Sequence, residues 1–564
     1  MKNKKMISLV SLMLLSSLCG CNNSQVSDNS TPATSQQVQV SNDFTNQIEA
    51  DVPYTQVLSE SGKATIVNRQ QVPQLLLSSL LRTDLLINAD FMKSEEMEDY
   101  FAICKETGMN TIELSVMWSQ IETEYDKYDF SDIKNYLDFA KKYGLKINLE
   151  WYGSLTDGEY HSVNVPSYIN DNPSTYTVIE DLFDFANYGR CKILDWSDVD
   201  LLQRESKAIY NMMNYIHEWN HENDIYDPVI MVQIGQGADR FQRWRIDAYK
   251  IKDKNGNLMS QDDAWAMVNT YLNEVAKGVK SSKYKALTRA EFCEQIAVVN
   301  YVRNIEKLEY VDIVSPTYLH EISSTKNGIK SFTDEYPEMA VMNVENWAND
   351  NNYKQILATI AMGACGYASY QLSCPNYFPE APNGALYARY NANGTTLAEK
   401  FIERGTRATD TKLINTALNK AFVAVANAKR SNFAAFGLNN LINNQTGDAR
   451  IQKVYLNNGL LLDYSNPKDA IGFAAFDGNY LYAFSSKDAT LDINNCNITI
   501  ASKGQFFEDG NWDNQGNVIL ANNKTLTMES NVVYRIRTSN IGELPSASSL
   551  SQQNYKSTLD GIRG

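Results

Sequence analysis

Histidine is scarce in this chain, with four in 564 residues. That scarcity argues against a metal enzyme, because imidazole is the commonest protein ligand of a catalytic transition metal. The eight cysteines contain no paired C-x-x-C motif, which removes the usual zinc-binding arrangements. Basic charge is also in deficit. Lys and Arg number 51 against 67 Asp and Glu, a formal net charge of −16. Nucleic-acid binding rests on clustered Lys and Arg, so no nucleic-acid partner is expected, nor a broad electrostatic membrane face. No Gly-x-Ser-x-Gly anchor for Ser/His/Asp hydrolysis is present, and no Gly-rich phosphate turn follows the first strand-like run. Past the N-terminus, no apolar run reaches transmembrane length. No cofactor is expected.

What is present begins with a targeting segment. Lys2, Lys4 and Lys5 form a basic region, and Met6 to Leu18 is apolar but too short to span a bilayer. It ends in Leu18-Cys19-Gly20-Cys21, which resembles a bacterial lipobox. The resemblance implies cleavage before Cys21 and lipid attachment there; the alternative is an ordinary secretory signal. Residues 1–21 are therefore read as a lipoprotein signal, and the mature chain is expected in the bacterial cell envelope, periplasmic or at the cell surface. Its membrane contact is expected through that lipid alone. Residues 22–47, rich in Asn, Ser, Gln and Thr, read as a flexible tether. Of the remaining cysteines, most sit in apolar contexts, and Cys365 and Cys374 are a candidate pair.

Residues 48–435 alternate strand-like and helix-like stretches. Strands are expected near residues 85, 113, 148, 231, 286, 312, 342 and 368. Helices are expected over Ser94–Lys105, Phe130–Tyr143, Leu201–Glu222, Gln261–Val279, Phe292–Leu308, Tyr353–Met362 and Leu413–Ala428. In the third of these, Ile209, Met212, Met213, Ile216 and Trp219 recur at helical spacing. Eight βα units over about 350 residues specify a (β/α)₈ barrel of the α/β class. From 436 to 545 the pattern becomes short alternating runs separated by turns, such as Asp477-Gly478-Asn479 and Asn514-Gln515-Gly516. That stretch reads as an all-β sandwich, and 546–564 as a polar tail. Asp253-Lys254-Asn255-Gly256-Asn257 lacks the spacing of a calcium loop and reads as a turn.

Barrel chemistry sits at the C-terminal ends of the strands. That rule selects Trp118, Glu122, Glu150, Trp151, Gln236, Asp239, Tyr318, His320, Glu345, Trp347 and Tyr370. Glu345 ends the apolar run Ala340 to Val344, and a lone acid there is more typical of a site than of a core. Trp118, Trp151 and Trp347 are candidate stacking platforms for sugar rings, since flat amphipathic rings suit sugar faces.

Several stretches share one family pattern. They are Asn110-Thr111-Ile112 through Met117-Trp118 to Glu122, then Tyr128-Asp129-Phe130, Val165-Pro166-Ser167-Tyr168-Ile169, Met231-Val232-Gln233-Ile234 and Val344-Glu345-Asn346-Trp347. In this order they resemble clan A glycoside hydrolases, nearest to the β-galactosidase families 35 and 42. The resemblance implies a carbohydrate substrate and two carboxyl groups about 5–5.5 Å apart, with Glu345 as nucleophile. The chain departs from the pattern at the acid. After Ile234 it reads Gly235-Gln236-Gly237-Ala238-Asp239, and Gly237 stands where the family carries its acid/base Glu. Glycine transfers no proton. Ser115 replaces a sugar-facing Tyr, and Glu150-Trp151-Tyr152 replaces Arg-Pro-Gly, so a galactose pocket is not implied. Asp239 or Glu150 then supplies the acid, a wider carboxyl spacing supports inversion, or the barrel binds sugar without cleaving it. Gln236, Tyr318, Trp347 and Tyr370 complete the expected sugar contacts.

Overall fold

The structure is a computed structural model. It describes residues 55–60, 63–83, 94–154, 165–170, 178–185, 189–194, 196–225, 227–234, 253, 255, 257–293, 308–317, 322–347, 352–373, 385–390, 397–436, 453–465, 470–546, 548–549 and 556–557. The expected targeting segment with Cys21, the expected tether, and the expected site residues Gln236, Asp239 and Tyr318 lie outside the described residues.

The described chain opens with an antiparallel sheet of β1 (Gln56–Glu60), β2 (Lys63–Val67) and β3 (Pro73–Gln74). The first barrel strand is β4 (Leu76–Leu81), followed by helix α1 (Ser94–Glu106) and β5 (Thr111–Met117). A small hairpin, β6 (Glu122–Glu124) and β7 (Lys127–Tyr128), precedes α2 (Ser131–Tyr143) and β8 (Lys146–Tyr152). A longer hairpin, β9 (Val178–Phe185) and β10 (Gly189–Leu194), leads to α3 (Val199–Asn223) and β11 (Val229–Ile234). Next come α4 (Gln261–Ser281), β12 (Leu287–Cys293), β13 (Ile313–Thr317) and α5 (Ile322–Glu335). The last barrel strands are β14 (Ala340–Trp347) and, after α6 (Asn352–Ala361), β15 (Gly366–Tyr370). Hairpin β16 (Tyr387–Tyr390) and β17 (Leu397–Glu403), then α7 (Arg407–Lys420) and α8 (Phe422–Asn427), end this part.

Strands β4, β5, β8, β11, β12, β13, β14 and β15 pair in parallel, each with the next, and β15 returns to β4 to close the barrel. These are short, almost wholly buried runs, as parallel strands covered by helices require. The helices start and stop on local chemistry. Asp198 caps α3 by accepting from the amides of Asp200 and Leu201 at 3.0 and 3.3 Å, and Ser260 caps α4 by accepting from Asp263 at 3.1 Å. Gly144 ends α2 in the left-handed region at φ 60°, where glycine carries no steric penalty. Ile209, Met212, Met213, Ile216 and Trp219 form the buried face of α3, as their spacing predicts. The N-terminal end of the barrel is plugged by apolar side chains. Ala64 and Ile66 of β2 pack there on Leu76, Met231, Leu287, Ile313, Ala340 and Met342.

The sandwich is a six-stranded sheet facing a five-stranded one. The first contains β18 (Phe433–Phe436), β21 (Gly472–Asp477), β22 (Tyr480–Ser485), β24 (Asn497–Phe506), β25 (Trp512–Val518) and β27 (Val533–Ser539). The second contains β19 (Lys453–Tyr455), β20 (Leu461–Ser465), β23 (Ala489–Asn494), β26 (Thr525–Met528) and β28 (Lys556–Ser557). The molecule is thus an α/β barrel followed by a β-sandwich. Among the described residues no helix is long and apolar enough to cross a membrane.

Four local expectations are corrected. The first barrel strand is Leu76–Leu81, and the stretch near residue 85 lies outside the described residues. Phe292 and Cys293 belong to strand β12, where a helix was expected. Asn514-Gln515-Gly516 runs inside β25 beside a register shift; the β24–β25 turn is instead closed by the Phe507 amide on Asn511 O at 2.8 Å. Cys365 is a free buried thiol and so does not pair with Cys374. The Asp253 turn is as expected, with its carboxylate accepting from the amides of Asn255 and Asn257 at 2.8 and 2.9 Å.

Candidate active site

Strand β14 shows how the sequence presents its acid. Ala340, Met342 and Val344 join the apolar lumen, while Val341 packs on the outer core and the Asn343 amide donates to Thr359 on α6 at 3.0 Å. Strict alternation would send residue 345 outward with 341 and 343. Instead the register with β15 shifts between Asn343 and Asn346, and Glu345 adopts φ 50°. A bulge of this kind re-aims a side chain. Left-handed backbone at a non-glycine residue is strained by about 1–2 kcal/mol, and such strain clusters at functional sites. Glu345 is 5% exposed.

The strand ends around it are unusually polar. Glu150 on β8 and Glu291 on β12 each lie two residues before their strand's C-terminal end, as Glu345 does on β14. Deeper in the lumen lie Glu113 on β5 and Arg289 on β12, both fully buried. The Arg289 Nη2 pairs with Glu113 and stands 3.6 Å from Glu150 Oε1; its Nη1 faces the sulfurs of Met231 and Met342. Gln233 on β11 donates to Glu291 at 2.6 Å. Three carboxyl groups therefore surround one guanidinium in a water-excluded space, and they cannot all ionise. Burial, then the charges of Glu113 and Glu291, push the Glu150 carboxyl well above the usual range. Burial alone would lower the pKa of Arg289, but Glu113, Glu150 and Glu291 outweigh it and keep the guanidinium charged. Near the same strand ends, the buried side-chain amides of Asn346 and Gln371 have no hydrogen-bond partner among the described residues. Such groups are costly unless something hydrogen-bonds to them, as a hydroxyl-rich ligand does.

The expected site residues divide. Glu345, Glu150 and Tyr370 are buried at the C-terminal ends of barrel strands, and Trp347 ends β14. The expectation of stacking platforms at Trp118 and Trp151 is corrected. Both indoles are fully buried in the outer core, so neither offers a ring face to a ligand. The Trp118 nitrogen donates to Glu122 at 2.8 Å, and that carboxylate also accepts the Asp126 amide at 2.9 Å, which closes the β6–β7 hairpin. Burial raises the Glu122 pKa, although those hydrogen bonds pull it back. The Trp151 nitrogen donates to Glu205 on α3 at 2.8 Å. Glu205 also accepts from the Ser154 amide and the Tyr271 hydroxyl, so it pins the loop after β8. A Cβ on Gly153 would lie 1.7 Å from that carboxylate. In the Tyr128-Asp129-Phe130 stretch, Asp129 accepts the Ser131 amide at 2.9 Å at the start of α2, and Phe130 stacks between Tyr128 and Tyr215.

Glu113, Arg289 and Glu291 were not singled out by the sequence pattern. Their signal is present as alternation: Glu113 and Ser115 on β5, Arg289 and Glu291 on β12. A charged lumen-facing parity looks like a solvated edge unless the barrel is already in place.

No family model matches the sequence, and no curated protein is significantly similar to it. Among solved structures, the chain is similar to a GH30 endoxylanase from Clostridium papyrosolvens C71, with a TM-score of 0.41 and 9% identity over 83% of this chain and 97% of that one. It is also similar to a β-galactosidase from the psychrophilic Marinomonas ef1, with a TM-score of 0.43 and 10% identity over 63% and 62%. An exo-β-1,4-mannosidase from Opitutaceae bacterium strain TAV5 gives 0.42 and 11% over 60% of each chain. These overlaps are too loose, and the identities too low, to carry a function across.

Proposed function

We propose that this chain is a glycoside hydrolase acting on an oligo- or polysaccharide by retention, with Glu345 as nucleophile. One observation carries the reading: Glu345 is a buried carboxylate held in left-handed backbone at the C-terminal end of the seventh barrel strand. The family-like order of motifs agrees with it. In the first step Glu345 attacks the anomeric carbon while a protonated carboxyl delivers its proton to the leaving oxygen. In the second, that same group, now a carboxylate, takes a proton from water, which displaces Glu345 from the sugar. Burial and the neighbouring carboxyl groups raise the Glu150 pKa, the direction a general acid needs. Asp239, two positions past Gly237, is the other candidate. Gln236, Tyr318, Trp347 and Tyr370 contact the sugar, with Asn346 and Gln371 adding hydrogen bonds. The lipobox-like N-terminus holds the enzyme on the cell envelope through Cys21.

The test is turnover of activated aryl glycosides. Glu345→Ala abolishes it, and added azide restores it by attacking in place of the carboxylate; unchanged turnover in Glu345→Ala ends the proposal. Glu150→Gln and Asp239→Asn are compared on good and poor leaving groups. The true acid variant loses about 10²–10⁴-fold on the poor ones and much less on the activated ones. A second reading, a carbohydrate-binding barrel without turnover, is favoured by Gly237 at the acid position. Binding without hydrolysis across a broad glycan panel supports that reading, and hydrolysis of any member ends it.

A further inference from the structure

Far from the barrel mouth, two of the four histidines meet on the outside of α3. His217 and His221 are one helical turn apart, so they share a helix face. Their Nε2 atoms lie 3.1 Å apart, and the rings cross at 75° with centroids 4.4 Å apart. His221 is exposed and His217 half-buried. We propose that this pair is a two-histidine site for a divalent transition-metal ion of the copper, nickel and zinc class, with water filling the other positions.

The spacing is what two imidazoles reach around one ion. With each nitrogen at about 2.05 Å from the metal, a separation of 3.1 Å gives an angle of about 98° at the ion, between the square and tetrahedral values. Neutral imidazole is the form that binds metal. The surrounding field favours a cation. Glu218 and Glu222 form the adjacent stripe of the helix, both exposed, and Asp224 follows at the C-cap. The pair sits in the last two turns of α3, where the helix dipole is negative. Lys283, 3.5 Å from Glu218, offsets part of that charge. Among the described residues no group of three or more histidine, cysteine or acidic side chains converges on one point, so the protein supplies two ligands and the site stays open to water. α3 runs back to the start of β11, which puts its end at the N-terminal face of the barrel, opposite Glu345. The ion therefore staples the last turn of α3 and takes no part in sugar chemistry.

The experiment is calorimetric titration of the untagged protein with copper(II), nickel(II) and zinc(II) chlorides. One ion binds per chain, copper most tightly, as the usual order for nitrogen sites requires. His217→Ala and His221→Ala each weaken copper binding at least tenfold, and the double variant removes this site while circular dichroism shows an unchanged fold. Copper resonance spectra carry two imidazole nitrogens in the wild type and one in either single variant. Unchanged affinity in the double variant overturns the proposal, because binding then rests on His161, His320 or elsewhere. So does the lack of any binding below about 1 mM.

Discussion

At residue 345 two demands oppose each other. A carboxylate is needed for the proposed chemistry, and the left-handed backbone that presents it favours glycine. Glu345→Ala removes the carboxylate but keeps the Cβ that clashes in this conformation; Glu345→Gly removes both. The glycine variant is therefore expected to be more stable than the alanine variant by about 1 kcal/mol, although glycine is normally the less stabilising residue within a strand. Urea unfolding of the two variants measures the difference. An alanine variant more stable than the glycine one means that the backbone at 345 relaxes once the side chain is gone, and the strain argument fails. Both variants are expected to be inactive if Glu345 is the proposed nucleophile, a trade of stability against function. Glu345 was legible in the sequence because it ends an apolar run. Its bulge was not, since no residue there is one that normally signals φ above zero.

Between elements, the connection from α3 to β11 has its own acid. Asp227 is 3% exposed, also left-handed at φ 57°, and among the described residues its carboxylate receives a single long contact, 3.5 Å from the Arg69 amide. Burial pushes its pKa up from 3.8 to about 6, with Lys146 pulling the other way. The sign follows from which state holds the proton. Below about pH 4 both states are protonated and the burial is harmless. Between about pH 4 and 6 the unfolded chain releases the proton and the folded one keeps it, so stability falls as pH rises, by at most about 3 kcal/mol. Asp227→Asn is expected to remove that slope, since asparagine is neutral and tolerates left-handed backbone. Urea midpoints at pH 4, 5 and 6 check it; equal slopes in wild type and variant refute the assignment. Legibility at this scale followed side-chain chemistry. Val229–Ile234 was readable as a strand because every residue in it except Gln233 is apolar. β12 was displaced toward its start because Arg289 and Glu291 occupy its inner face, and a buried charged parity is not distinguishable in sequence from an exposed one. Trp151 was placed at the correct strand end but on the wrong side, since one step along a strand reverses the face, and Trp118 opens a short helical turn just past β5.

Across the whole molecule, the change of pattern near residue 436 was readable, but the way the two parts share a core was not. Phe473, Ala475, Phe484 and Val533, from the six-stranded sheet, belong to the same buried cluster as barrel-side residues Leu418, Ala421 and Val425. Phe473 stacks on Phe433 and Phe484 with centroids 5.8 and 5.5 Å apart. At the rim, Phe422 of α8 meets Phe506, which meets Trp512, and Arg535 lies 5.1 Å over the Trp512 ring. The sheet alternation that buries one sandwich face against its partner sheet thus buries the other face against α7 and α8. Neither part has a closed apolar surface alone, so barrel and sandwich are expected to unfold together in one calorimetric transition. Phe473→Ala removes a fully buried ring from this joint and is expected to destabilise by about 3–5 kcal/mol. Because the joint belongs to both parts, the variant should shift the single transition downward as a whole. A variant that instead splits into two transitions, with one at the wild-type temperature, would show that the barrel is stable without the sandwich and that the shared cluster does not couple them.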